Sequence, residues 1–300
     1  MSRLRVCLVY ALLVLYAGAA HAYVRTTREG DGAAVAWRSA QIEFELATAS
    51  IPQGMDPQRV RNAIASALQA WTEVAVPCTS VALRVVSSAE AAPSVARDGV
   101  NRMVFRRERW SKNGDPSPFL LYPPQQLAVT SVYVSRVEQS PKLASILEAD
   151  IELNAVDFSW HEEQGTPRTN TGSDLGVIVR HEIGHALGLE HNCNDGSASG
   201  SGLEYCSKAS PEVRSATMFP SWLEQNTDQR ALGQDERHAL CDIYPKLEQQ
   251  PAANVNVDKA HSTTTSVNPT DARPMRVFIG LALTLLGLGT VLVHQRWLSR

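Results

Sequence analysis

Three histidines and two glutamates fall within fifteen residues of this chain, Val177–His191, in the order VIVRHEIGHALGLEH. His181 and His185 stand four apart. On a helix that spacing sets both imidazoles on one face, a turn apart, where their nitrogens can share one metal ion. Glu182 follows His181 directly, angled off the His–His axis. From there a carboxylate can touch a metal-activated water without binding the metal. Gly188 comes three residues after His185 and can take the left-handed conformation that ends a helix. The chain can then turn back and supply His191 as a third nitrogen. Three neutral imidazoles leave a tetrahedral zinc with one open position, as in catalytic rather than structural zinc sites. A bare H-E-x-x-H arises by chance in about one in a hundred chains of this size, and the fixed Gly and third His lower that to about one in 10⁵. Three histidines on an ordinary core helix is therefore a poor account of the segment.

Other candidates are thinner. Asp150 and Glu152 in EADIELN can be imagined as calcium ligands, but they read better as a solvated strand face. His161, His238, His261 and His294 have no partner at metal spacing. The chain has no Gly-rich phosphate loop and no G-x-S-x-G. With 28 basic and 31 acidic residues its net charge is −3, which offers nucleic acid no basic field and gives no reason for wholesale disorder.

The elements that must position the histidines lie between residues 30 and 246. Ala40–Ala47 alternates apolar and polar residues and reads as a strand. Asp56-Pro57 opens a helix, Asp as cap and Pro in the first turn, and Val60, Ile64, Leu68 and Trp71 give it a buried stripe. Val81–Val86, Arg102–Arg106, Leu127–Val134 and Asp150–Leu153 read as further strands. Segments 108–126 and 159–173 are loop-like. The pattern mixes helices and strands, and it leaves the strand directions undecided.

The two ends read as addresses. Met1–Ala22 has the basic start, apolar centre and Ala20-His21-Ala22 cleavage site of a signal peptide, placing the mature start near Tyr23. Residues 247–275 are rich in Thr, Asn, Pro and Ala and read as a flexible linker. Residues 276–300 hold an uncharged run, Val277–Val293, bracketed by Arg276 and Arg296, with Trp297 as interface anchor. Seventeen residues reach about 25 Å as a helix, the short end of a bilayer span. The expectation is an exported body, either anchored by its tail outside the cytoplasm or secreted after tail cleavage. The absence of an N-x-Ser/Thr sequon other than the Pro-blocked Asn268-Pro269-Thr270 leans towards a bacterial envelope.

With Cys7 in the leader, Cys78, Cys193, Cys206 and Cys241 remain, an even number in an exported chain. Three pairings are open. Cys193 and Cys206 flank a Gly/Ser/Asn/Asp loop and are favoured as a clip, which leaves Cys78 with Cys241.

HEIGHALGLEH resembles the extended zinc motif H-E-x-x-H-x-x-G-x-x-H of the metzincin endopeptidases. Ser215-Ala216-Thr217-Met218-Phe219-Pro220 looks like that family's methionine turn, with Met218 placed 27 residues after His191. Leu232–Pro245 resembles the last helix of the matrixin, or matrix-metalloproteinase-like, branch. The resemblance covers residues 35–245, within a domain spanning 23–246. It implies an α+β fold: a twisted, mostly parallel or mixed sheet with an active-site helix, a Met turn and a C-terminal helix. It implies one catalytic zinc on His181, His185 and His191, Glu182 as the base, and Met218 as an apolar floor. It implies substrate-pocket positions at Pro220 and Trp222, and Asp235-Glu236 as holders of a freed N-terminus or as helix caps. No Pro-Arg-Cys-Gly segment precedes the body, so latency through a thiolate–zinc bond is not expected. No His-rich loop for a second zinc is present. The activity implied is zinc-dependent hydrolysis of peptide bonds in extracytoplasmic proteins. A catalytically silent binding or adhesion module and a zinc hydrolase of non-peptide substrates are the alternatives.

Overall fold

Gln41–Ala47 folds as its alternation requires: Ile42, Phe44 and Leu46 are buried while Gln41 and Glu43 face outwards. The computed structural model describes residues 23–88, 94–135, 143–162, 172–196, 202–221, 229 and 231–246, together with the backbone of 293–299. The strands are β1 (Val24–Arg25), β2 (Ala34–Trp37), β3 (Gln41–Ala47), β4 (Ala82–Ser88), β5 (Asn101–Arg106), β6 (Gln126–Val134), β7 (Leu143–Asn154), β8 (Trp160–His161), β9 (Ser173–Asp174), β10 (Leu189–Glu190) and β11 (Val293–Ser299). The helices are α1 (Pro57–Val74), α2 (Leu175–Ala186), α3 (Pro211–Ser215) and α4 (Gln234–Ile243).

The fold is α+β around a mixed sheet in the order β11-β6-β7-β5-β3-β4, with β2 also paired to β7. The pairs β3–β4, β3–β5, β5–β7 and β2–β7 are parallel. Only β6 against β7 and β11 against β6 run antiparallel. This is the architecture that the zinc-motif resemblance implies.

Asp56 caps α1 by accepting a 2.8 Å hydrogen bond from the Arg59 amide, and Pro57 occupies the first turn, where its missing N–H costs nothing. The stripe Val60, Ile64, Leu68 and Trp71 is buried against the core, joined by Ala63 and Ala67. Trp71 also donates its ring N–H to the Arg180 carbonyl at 2.8 Å, which fastens α1 to α2. Truncating a buried aromatic of this kind costs about 3–5 kcal/mol.

Four strands of two residues, β1, β8, β9 and β10, are too short for alternation to reveal. β7 begins at Leu143, well before ADIELN, and nearly all of it is buried on both faces, so it carries no alternation either. The expectation of a solvated face at Asp150 and Glu152 is overturned. Both are fully buried, and the segment that follows β5 folds over Glu152. Glu152 pairs with Arg106 and accepts from the Asn113 amide at 2.9 Å and the Tyr122 hydroxyl at 3.0 Å. Asp150 accepts from the Arg102 amide at 2.8 Å.

The segments read as signal peptide and linker, and the apolar run up to Leu292, lie outside the described residues. The end of the segment read as an anchor or sorting signal is strand β11, with Arg296 opposite Thr130 of β6. Among the described residues no helix is long and apolar enough to cross a membrane.

Candidate metal centre

Helix α2 starts at Asp174, whose side chain accepts from the Val177 amide at 3.2 Å. Every residue from Leu175 to Ala186 is buried. A helix without a solvent face lies inside the protein, so its polar residues must find partners there. Gly188 ends the turn with φ +92°, and a Cβ at that position would come within 2.9 Å of the Val35 carbonyl oxygen. Positive φ and the close pass of β2 both require glycine here. The terminal carbonyls of the helix are capped by side chains: Trp37 donates to Ala186 O at 2.7 Å and Tyr244 to Leu187 O at 2.8 Å. The chain then pairs as β10 with β1 and arrives at His191.

The three histidines meet. His191 Nε2 lies 3.3 Å from Nε2 of both His181 and His185. Among the described residues they form the only group of three or more His, Cys, Asp or Glu side chains close enough to hold a metal ion. Each Nδ1 is occupied: His181 by the Thr217 carbonyl at 2.6 Å, His185 by the Leu189 carbonyl at 2.8 Å, and His191 by Asp195 Oδ2 at 2.6 Å. These acceptors require Nδ1–H, which leaves the Nε2 lone pairs pointing at a common centre. Two nitrogens on a tetrahedral zinc with bonds of about 2.05 Å stand about 3.3 Å apart, so the separations fit that ion. Burial, and then His191, push the His181 pKa down to about 3, which keeps the ring in the neutral form a ligand needs.

Glu182 is fully buried beside this set. Its Oε2 accepts from the Thr130 hydroxyl at 2.6 Å, while Oε1 has no hydrogen-bond partner among the described residues. Burial pushes its pKa up to about 8, against the opposing pull of the Thr130 bond.

Met218 is buried and lies against α2 at Gly184, where a Cβ would overlap its sulfur and come within 3.1 Å of Trp71. Glu236 of α4 holds the turn by accepting from the Thr217 amide and from Gly233, both at 2.8 Å. It therefore caps its own helix and carries the Met turn at once. Asp235 accepts from the Tyr23 amide at 3.1 Å. Pro220 is buried at the end of the turn, and Trp222 lies outside the described residues. Cys193 is bonded to Cys206, and Cys78 to Cys241. Asp150 and Glu152, the weaker calcium candidates of the sequence, do not join a metal-holding group among the described residues.

Three site residues were not legible as such. Thr130 sits in a β-rich run, Gly184 is the unspecified x of H-E-x-x-H, and Asp195 lies in a loop of low sequence complexity. Only Asp195 carried a signal, an acid four residues after a metal-spaced histidine.

No family model matches the chain. Over 96 residues, 32% of this chain, it is 28% identical to matrix metalloproteinase-27 of Homo sapiens. The matched stretch is 15% of that relative's length, so the chain corresponds to much less than the whole relative. The similarity is to a metalloproteinase, and it is partial.

Proposed function

We propose that this chain is a zinc-dependent endopeptidase acting outside the cytoplasm. The observation that carries the reading is the convergence of three imidazole Nε2 atoms beside a buried glutamate with one unpartnered oxygen. His181, His185 and His191 would hold the ion. When bound, zinc supplies Lewis acidity for the scissile carbonyl and lowers the pKa of water. Glu182 takes the proton of the attacking water at Oε1 and passes it to the leaving amine. Thr130 keeps Oε2 engaged so that Oε1 faces the reaction. A catalytically silent use of the scaffold leaves that oxygen without a task.

An extended peptide is the substrate form that suits the sheet. The outer edge of β6 offers backbone donors and acceptors close to Glu182, and chains are commonly bound by adding a strand to such an edge. β11 itself lies antiparallel along this edge, which supports the reading that it accepts an extended chain. A tail crossing a membrane once would put Val293–Ser299 on the far side from β6. The paired strand and the single span are therefore alternative states of the tail.

The test is metal analysis and peptide-library cleavage by the chain without residues 1–22. One zinc per chain and chelator-reversible cleavage are expected. Glu182→Gln retains the zinc and loses about 10²–10⁴-fold in turnover, whereas His185→Ala loses the metal. Loss of zinc in Glu182→Gln to the same degree as in His185→Ala would overturn the division of roles.

A further inference from the structure

His191 differs from the other two histidines in what holds it. Backbone carbonyls orient His181 and His185, but His191 Nδ1 meets the Asp195 carboxylate at 2.6 Å. Both side chains are largely buried, at 5% and 6% exposure. A charged acceptor makes a stronger hydrogen bond than a carbonyl and holds the imidazole more firmly in one orientation. The carboxylate also compensates part of the charge that a divalent ion would bring into a site with three neutral ligands.

Asp195 is in turn fixed by its loop. It lies two residues after Cys193, inside the Cys193–Cys206 bridge. On the two sides of that bridge Asn194 N donates to Glu204 O at 2.8 Å and Cys206 N to Asn194 O at 3.0 Å. Gly196 N turns back onto Asn194 Oδ1 at 2.9 Å with a positive φ of 94°. The disulfide thus clamps the short ladder from which the carboxylate projects.

We infer that Asp195 is the positioning residue of the third metal ligand, and that the Cys193–Cys206 bridge governs metal retention through it. The inference rests on the metal-centre reading above. It assigns the bridge a task beyond stabilising the fold: holding one carboxylate against one imidazole.

The experiment is zinc affinity measured by competition with a chromophoric chelator on the metal-stripped chain. Wild type, Asp195→Asn, Cys193→Ser/Cys206→Ser and the triple variant are compared, with thermal melts of the apo forms as a check on folding. Asp195→Asn, close in shape, should weaken zinc binding by about 10–100-fold, the usual effect of removing a partner that orients a ligand. Loss of the bridge should weaken it as well, and the triple variant should bind no more weakly than the weaker of the two parents. Asp195→Glu should recover part of the affinity. An Asp195→Asn affinity within twofold of wild type overturns the assignment. Additive losses in the triple variant overturn the link between bridge and carboxylate. Wild type failing to bind zinc at all overturns the metal-centre reading itself, a distinguishable result.

Discussion

The Thr130 hydroxyl donates a 2.6 Å hydrogen bond to Glu182 Oε2, joining strand β6 to the helix that carries two of the histidines. Thr130 is fully buried, as is Glu182. The contact crosses from the sheet to the helix beside the three histidines. It also fixes which carboxylate oxygen is left for the reaction.

Replacing Thr130 with Val keeps the shape and removes the hydroxyl. Losing one hydrogen bond costs about 0.5–1.5 kcal/mol, so misdirection of Glu182 should lower kcat by about two- to tenfold. Zinc content should be unchanged, because Thr130 touches no histidine nitrogen. Thr130→Ser should restore most of the rate. Steady-state kinetics with metal analysis decides it, and an unchanged kcat in Thr130→Val would show that Glu182 needs no such support.

Gly184 is a packing requirement inside the zinc motif. A methyl group there would overlap the Met218 sulfur and crowd Trp71. The Met218 side chain would have to shift to make room, beside the turn whose Thr217 carbonyl orients His181. Gly184→Ala should therefore destabilise the chain by about 1–3 kcal/mol, the usual range for overpacking, and weaken zinc binding as well. Gly184→Ala combined with Met218→Ala makes room and should recover stability. Denaturant melts of both variants check this; a single variant as stable as wild type would mean that the turn yields freely.

The candidate metal ligands were legible because their spacing is dictated by helix geometry and by one glycine. Gly188 announces both the helix end and the return to His191, and the structure gives it a positive φ. The capped start of α1 was equally plain, since Asp56 and Pro57 act locally. What the sequence could not show depends on partners distant along the chain. Glu236 caps its own helix by local rules, yet its bond to Thr217 19 residues away exists only in the fold. Asp150 and Glu152 looked exposed because charge alternates with apolar residues there, and partners distant along the chain, Arg102 for Asp150 and Asn113 and Tyr122 for Glu152, enclose them. Strand directions were open for the same reason: β3 pairs in parallel with both β4 and β5, and nothing local encodes it.

Asp150 makes stability depend on pH. Burial, and then the neighbouring acids Glu148 and Glu152, raise its pKa from 3.8 to about 8, against the Arg102 amide bond that lowers it. Arg102, Asp98 and Tyr133 are the other titratable groups near it. The folded state therefore keeps a proton that the unfolded chain releases near its ordinary value. The contribution is fully present below about pH 4 and is lost as pH rises through the folded value of about 8. Asp150→Asn has no proton to lose. Urea midpoints at pH 5 and pH 9 should fall more for wild type than for the variant. Equal falls would place the pH dependence elsewhere.

On the proposed function, the tail strand lies along the edge that an extended substrate would use. β11 lies antiparallel on β6 from Val293 opposite Tyr133 to Ser299 opposite Gln126, and Arg296 stands opposite Thr130. A peptide adding to the same edge uses the same backbone donors and acceptors. If the paired state fills the edge nine-tenths of the time, apparent affinity for a long peptide falls about tenfold, since only the open fraction binds. Ending the chain at Leu292 should then lower KM by about that factor and leave kcat unchanged. A synthetic peptide with the sequence Val293–Ser299 should inhibit the truncated chain competitively. Steady-state kinetics on a long fluorogenic peptide reads both effects. An unchanged KM together with no inhibition by the peptide would remove β11 from any role at the substrate edge.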